Sequence, residues 1–390
     1  MSKVVTSKGF NLQSYQHINN GQPSQVETIT IPSNTLPSWG NYFQIDIKEV
    51  GVSVGKATIG FNLGALSGSG STSFNPASTW ITHVDILQNG KITDSIYGDQ
   101  TFLMNQLFNC DEDRLLINNA QGNYANVAQR IAMAATASTY YVDLVTFFNQ
   151  SNLTLLETKD NISIRVYLDN LINVVNGGVV PSATFLQANL FLTVTRFSDN
   201  ETQMKKLEIY KRPTHHKFNE VVYQSATIPS GSTSANITLT SFNGNISFFM
   251  VVCRPSANLN NLTKTSYDAV STFELTGQNS KNICGGSPLS MATMIHILGN
   301  RNSVSSYLSE TSLGVTNNKA NVLLYSFSSD LQATVDYAQS FGHYHFGANE
   351  ILKLVFPSAL SGNEQVDIWG FQESVLEVSA TNVTKKAFHN

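Results

Sequence analysis

The sequence predicts an all-β chain: two tandem eight-stranded jelly rolls, each with a helix between its fifth and sixth strands. Three observations lead there. Apolar and polar residues alternate with period two over most of the chain, the pattern of strands with one buried face. The order of strands and turns in the first half recurs in the second at a nearly constant offset. Charged residues are only 13 % of the chain, and Asn, Ser and Thr supply the polar surface, Asn alone being about a tenth of it. These residues favour turns and local backbone bonds over helix interiors.

The elements follow in order. In the first half, strands are expected at about 25–32, 42–54, 56–63, 80–88 and 91–97. A helix is expected near 99–117, then strands near 140–148, 162–169 and 184–197. The alternation is clearest in the last, where Leu186, Ala188, Leu190, Leu192 and Val194 are apolar and Gln187, Asn189, Thr193 and Thr195 polar. Ile162, Ile164, Val166 and Leu168 alternate in the same way. In 42–54 the apolar phase slips from Phe43, Ile45 and Ile47 to Val50, Val52 and Val54, which predicts a β-bulge near Lys48–Glu49.

The second half repeats this order. Thr30-Ile-Pro-Ser33 recurs as Thr227-Ile-Pro-Ser230, and Gln88-Asn-Gly-Lys-Ile92 as Gln278-Asn-Ser-Lys-Asn-Ile283. Gly98-Asp99 is matched by Gly286-Ser287, and Ile162–Leu168 by Ile351–Pro357. The offsets are 197, 190, 188 and 189 residues, which argues for tandem copies of one domain. Two unrelated sandwiches with similar turns are the alternative. Ile237–Leu239 and Ile246–Arg254 compete for one strand position, and the apolar run Phe248–Cys253 suits a buried strand.

Asp99 is the expected cap of the first helix, with Leu103/Leu107 and Met104/Phe108 as its apolar pairs. The second helix is marked by Ser287 as cap, Pro288 in its first turn and Gly299 at its end. Met291, Met294, Ile295 and Leu298 form its i, i+3, i+4, i+7 face, best read as packing on a sheet. The expected organisation is an N-terminal arm (1–24), a first roll (25–198), a linker (199–219), a second roll (220–379) and a C-terminal tail (380–390).

An even number of strands returns the chain to the end where it began. Rolls standing side by side therefore bring arm, linker and tail to a common end. These segments hold Lys3, Lys8, Lys205, Lys206, Lys211, Arg212, Lys217, Lys385 and Lys386 against Asp199, Glu201 and Glu208, a balance of +6. The whole chain carries −4, so the remainder carries −10. A basic end above an acidic body suits an anionic surface such as phospholipid headgroups or packaged nucleic acid. Ordinary solvated linkers are the alternative. The overall negative charge argues against a protein coated in nucleic-acid contacts, and no sequence-specific nucleic-acid binding is expected.

Catalytic and metal motifs are missing. Val54-Gly55-Lys56-Ala57-Thr58 lacks the glycine spacing, the Ser/Thr after the lysine and the strand–helix context of a phosphate loop. His343-x-His345 has no third ligand nearby and lies in an aromatic segment. Asp111-Glu112-Asp113 reads as a solvated acidic turn at a helix end rather than a cation site. Cys110, Cys253 and Cys284 are widely spaced and odd in number, as expected of ordinary reduced thiols. The first twenty residues lack an apolar signal core, and no run reaches the length of a membrane span. No catalytic residue, cofactor or metal is expected, and the chain reads as a non-enzyme.

A duplicated strand–helix–strand order resembles the double jelly-roll major capsid proteins of the tectivirus–adenovirus lineage, in a bacteriophage-like form. The helices expected at 99–117 and 287–298 fall between the fifth and sixth strands, as in that family. Gln25-Val-Glu-Thr-Ile-Thr-Ile31 is similar to the first strand of tectivirus capsid proteins. The resemblance implies a homotrimer, six upright rolls forming a pseudo-hexagonal capsomer that tiles an icosahedral shell. It implies a virion location after synthesis in the host cytoplasm. The implied partners are the chain itself, neighbouring capsomers, penton and minor capsid proteins, and an anionic internal membrane beneath the basic end. Two alternatives stand beside it. A two-jelly-roll hydrolase acting on glycans would need paired carboxylates in a cleft. A trimeric viral spike or receptor-binding protein would bind through its loops.

Overall fold

The computed structural model describes residues 25–49, 52–68, 73–109, 111–124, 126–144, 153–155, 162–176, 181–256, 267–277, 281–287, 322–338, 342–378 and 383–387. The arm, residues 288–298 of the expected second helix, Cys110 and most of the tail lie outside this set.

The first roll opens with β1 (Gln25–Pro32), β2 (Tyr42–Ile47), β3 (Val52–Leu63), β4 (Ser73–Phe74), β5 (Ile81–Gln88) and β6 (Lys91–Tyr97). Helices α1 (Gly98–Phe108), α2 (Asp111–Ala120) and α3 (Val127–Ala134) follow. It closes with β7 (Ser138–Leu144), β8 (Leu153–Leu155), β9 (Ile162–Leu168), β10 (Val175–Asn176) and β11 (Phe185–Arg196). Helix α4 (Asp199–Lys211) leads into β12 (Thr214–Ile228), β13 (Ser234–Thr238), β14 (Asn243–Pro255), β15 (Thr272–Thr276) and β16 (Asn282–Gly286). Then come β17 (Leu323–Ser326), α5 (Leu331–Tyr337), β18 (Tyr344–Gly347), β19 (Ile351–Val355), β20 (Glu364–Val378) and β21 (Val383–Ala387).

The two halves share one topology. The first builds the sheets β1-β11-β3-β7, with β8 also on β3, and β2-β9-β5-β6. The second builds β12-β20-β14-β17, with β18 also on β14, and β13-β19-β15-β16. Every pairing is antiparallel. This is the order of two jelly rolls. The sequence repeats fall on equivalent places. Thr30-Ile-Pro-Ser33 and Thr227-Ile-Pro-Ser230 end β1 and β12. Gly98 follows β6 directly, and Gly286 ends β16. Ile162 and Ile351 open β9 and β19, each of which pairs with the second and fourth principal strands of its roll.

Several expectations need correction. Residues 42–54 are not one bulged strand. β2 ends at Ile47 and pairs with β9, whereas β3 begins at Val52 and pairs with β11, so the chain crosses between sheets around Lys48–Glu49. The bulge lies further on, where Leu192 pairs with Ala57 but Val194 with Val54, leaving Gly55 and Lys56 opposite one residue. It lets Val52 and Val54 share the buried face with Ala57, Ile59 and Phe61. The expected helix 99–117 is two helices, α1 and α2, and α3 is an addition. Ile237 and Ile246–Arg254 do not compete: they lie in β13 and β14, in different sheets. Residues 199–219 are mostly structured, as α4 and the start of β12.

Each roll has an aromatic core. In the first, Trp80 lies 4.8 Å from Tyr140 and 5.2 Å from Phe74, ring centre to ring centre, and its indole N–H donates to the Asn75 carbonyl at 2.8 Å. In the second, Phe249, Phe273, Phe242 and Phe346 sit among Val251, Leu275, Leu352 and Ile368. Phe218 of β12 and Leu376 of β20 join the core of the first roll.

Candidate functional site

Among the described residues no group of three or more His, Cys, Asp or Glu side chains stands ready for a metal. His345 bonds Asn245 at 2.9 Å, while Tyr344 and Phe346 pack on Phe327. Val54–Thr58 lies in β3, with Thr58 donating to Asp143 at 2.6 Å and Lys56 paired to Asp143 at 2.7 Å. Cys253 and Cys284 are free and buried, and burial pushes both thiols up, Cys284 to about 12. No helix among the described residues is long and apolar enough to cross a membrane. The features that remain are the seam between the rolls and the end where chain segments meet.

The seam explains the apolar run Phe248–Cys253. Its alternate residues enter different cores. Phe249, Val251 and Cys253 face the second roll's interior, while Phe248, Met250 and Val252 face outward. An exposed sheet would place polar residues there; here the outer face is covered by α1 of the first roll. Leu103, Met104, Leu107 and Phe108 pack on Phe248, Met250, Val252, Leu324, Trp369 and Phe371. The two apolar pairs of α1 therefore serve the neighbouring roll as much as their own.

A buried ion cluster crosses the same seam. Arg254 donates through Nη2 to Asp99 at 2.8 Å and to Asp367 at 2.6 Å. The Arg254 and Asp367 side chains are 4 % and 1 % exposed, so neither charge has access to water. Burial opposes the guanidinium charge, but the Asp99 and Asp367 carboxylates outweigh it and hold Arg254 above its ordinary value. Tyr223 at 2.7 Å and Gln365 at 2.8 Å donate to the other Asp367 oxygen. Asp99 is not the cap residue of α1. The cap position is Tyr97, whose N–H donates to Gln100 at 3.2 Å, and Asp99 in the first turn reaches across to the second roll. The missed signal was a charge in each of two buried stretches, Arg254 closing an apolar run and Asp367 between Val366 and Ile368.

At the same end of the β14–β20 pair, where Pro255 stands opposite Glu364, the buried Glu364 carboxyl lies 3.6 Å from the Cys253 sulfur. Burial first, and the neighbouring Asp268 second, push Glu364 up to about 8.

The chain ends of both rolls converge. Gln25 pairs with Arg196, so the arm leaves the first roll beside the linker. Thr214 pairs with Val378, and Val378 with Val383, so linker and tail meet on the second roll. Of the nine bases expected at a common end, Lys3 and Lys8 lie outside the described residues. Lys205, Lys206 and Lys211 lie on α4, and Arg212 follows it. Lys205 sits 4.5 Å over the Phe197 ring. Lys217 on β12 stands opposite Val375, and Lys386 on β21 stands opposite the same residue, beside Lys385. The structure also brings acids here that the segment count left out. Glu373 pairs with Lys217 at 3.1 Å, Glu377 with His215 at 3.0 Å, and Glu27 and Glu49 with Arg196. Met204 and Leu207 project outward from α4, 64 % and 59 % exposed.

No protein-family model matches the chain, and no curated protein matches its sequence. Solved structures do match its fold. The VP54 protein of PBCV-1 is 17 % identical, with a TM-score of 0.67 over 95 % of this chain and 98 % of that one. The Faustovirus major capsid protein is 9 % identical, with a TM-score of 0.62 over 97 % and 93 %. The mavirus major capsid protein is 11 % identical, with a TM-score of 0.50 over 100 % and 96 %. With two rolls of matching strand order, joined by a buried seam and aligned over nearly the whole length of these proteins, the chain has the double jelly-roll fold of viral major capsid proteins.

Proposed function

We propose that the chain is a major capsid protein. Three copies form a pseudo-hexagonal capsomer, and capsomers tile an icosahedral shell together with penton and minor capsid proteins. The observation that carries this reading is the pair of rolls with identical sheet order, joined across their seam by the Asp99–Arg254–Asp367 cluster. Such a protein works by shape. It needs stiff pillars and self-complementary flanks, and no catalytic group. The chain divides into arm (1–24), first roll (25–198), linker (199–219), second roll (220–379) and tail (380–390).

Arm, linker and tail face the shell interior. The pairing of Gln25 with Arg196, and of Thr214 and Val383 with Val378, supports their clustering. Lys3, Lys8, Lys205, Lys206, Lys211, Arg212, Lys217, Lys385 and Lys386 then meet an anionic inner layer, an internal membrane, with Met204 and Leu207 as apolar contacts. Size-exclusion chromatography with light scattering tests the assembly unit: three times the 42.7 kDa chain is expected, and a stable monomer contradicts it. Flotation with vesicles of increasing anionic lipid tests the inner surface: binding should rise with anionic content and fall with salt. Binding indifferent to lipid charge removes that part of the proposal.

A further inference from the structure

The two rolls share one topology, so each sheet of one has a counterpart on the other, and a difference between counterparts marks what the fold does not require. The sheets β2-β9-β5-β6 and β13-β19-β15-β16 are such a pair. In each, alternate residues enter the roll's core: Phe43, Ile45, Val84 and Ile164 on the first, Ile237, Leu275, Leu352 and Leu354 on the second. The residues between them form the outer face. On the second roll its rows are Ser234, Val355 and Thr272, then Asn236, Lys353 and Glu274, then Thr238, Ile351 and Thr276. None of these is aromatic.

On the first roll the register sets Tyr42 opposite Tyr167, Tyr167 opposite His83, and His83 opposite Tyr97, one ring from each strand. Neighbouring ring centres stand 5.4, 4.0 and 6.3 Å apart along this row. One end closes on the seam, where Tyr97 meets Tyr223 at 4.6 Å. The other opens at the edge strand β2, where Tyr42 is 56 % exposed. The adjacent row is Gln44, Arg165, Asp85 and Ser95 in the same register: an amide, a guanidinium, a carboxylate and a hydroxyl. Arg165 lies 5.1 Å from the centre of the Tyr42 ring and donates to Gln44 at 3.3 Å, and Ser95 donates to Asp85 at 2.7 Å. Both rows lie toward the end of the roll away from arm and linker, since β2 follows the Pro32 end of β1 and the arm enters at the Gln25 end.

We propose that the outer face of β2-β9-β5-β6 binds a neutral oligosaccharide, with Tyr42 as the contact for a sugar's apolar face and Gln44, Arg165 and Ser95 as partners for its hydroxyls. A pyranose ring has an apolar C–H face and a rim of groups that both donate and accept. A row of rings beside a row of side-chain donors and acceptors meets both needs at once. Charge narrows the class. Across these rows Arg165 stands against Asp46 and Asp85, so the balance is acidic and sialylated or sulfated chains are disfavoured. Four strands about 4.8 Å apart span roughly 14 Å, the reach of a short oligosaccharide. The site belongs to one chain, so it goes beyond the capsomer reading and does not depend on it.

Saturation-transfer difference NMR on the full chain tests this, with maltohexaose, cellohexaose and chitohexaose as neutral probes and 3′-sialyllactose as the anionic one. Transfer to at least one neutral probe is expected. Tyr42→Ala, at an exposed edge position, should cut it severalfold with the elution volume unchanged, and Tyr42→Phe should keep it. Gln44→Ala is the companion variant and should weaken binding by loss of a hydroxyl partner. No transfer to any neutral probe overturns the proposal, as does transfer that both alanine variants leave intact. Stronger transfer to 3′-sialyllactose than to all three neutral probes overturns it too. Each of these results leaves the capsomer reading standing, because that reading is tested by the mass of the assembly.

Discussion

The Arg254 guanidinium, on β14 of the second roll, bonds the Asp99 carboxylate at the start of α1 in the first roll at 2.8 Å. Asp99 stands two residues past the end of strand β6, and Arg254 sits near the end of its strand, so the bond fixes where the two rolls meet along their length. An ion pair out of water contributes little net stability over a well-packed apolar alternative, but losing one partner strands the other. Its main effect is to set a register.

Removing the cation should be severe. Arg254→Ala leaves Asp367, 1 % exposed, without its counter-charge. A loss of about 3–5 kcal/mol is expected. Asp99→Asn should cost less, since Asp367 still holds Arg254. Urea denaturation of both variants checks the order; equal effects would mean the cluster does not act as described.

Truncating Phe218 should weaken the roll to which it does not formally belong. The residue lies on β12 but packs in the first roll's core. Phe218→Ala should cost about 3–5 kcal/mol. Hydrogen exchange should show faster opening of β3 and β11, and protection unchanged there would refute the packing.

Stability should depend on pH through Glu364. Its folded value is raised to about 8 from an ordinary 4.5, so the folded chain holds the proton more tightly than the unfolded chain. This group's contribution is full below about pH 4.5, falls as pH rises and is exhausted above about 8. Glu364→Gln keeps the shape without the ionisation. It should raise the unfolding midpoint relative to wild type at pH 9 and not at pH 5; a constant difference would mean Glu364 does not titrate in this range.

The basic end should respond to charge reversal on α4 more than on β12. Among the described residues Lys206 and Lys211 on α4 make no ion pair, whereas Lys217 is paired with Glu373. Lys206→Glu with Lys211→Glu should reduce flotation with anionic vesicles severalfold, and Lys217→Glu less. The reverse order would place the contact elsewhere.

Much of the fold was legible because each roll is a sandwich with one wet and one dry face per strand. Leu186 to Val194 and Ile162 to Leu168 show that alternation directly. The duplication was legible because turns are chemically constrained, and Thr-Ile-Pro-Ser ends the first strand of each copy. The bulge was misplaced because a sheet crossing and a bulge produce the same phase slip. The slip from Ile47 to Val52 is a crossing, and the slip from Val54 to Ala57 is the bulge. The seam was not legible because it is long-range: Asp99 reads as an ordinary helix cap until the second roll is seen beside it. The basic end was overstated for a related reason, since pairing in space brings Glu373 and Glu377 from the opposite end of the sequence.

Electron microscopy of the assembled full chain tests the central claim most directly. Trimeric capsomers in a hexagonal lattice or closed icosahedral shell, each trimer showing six upright rolls, are the predicted result. A chain that remains dispersed as single two-roll particles under every assembly condition would contradict it.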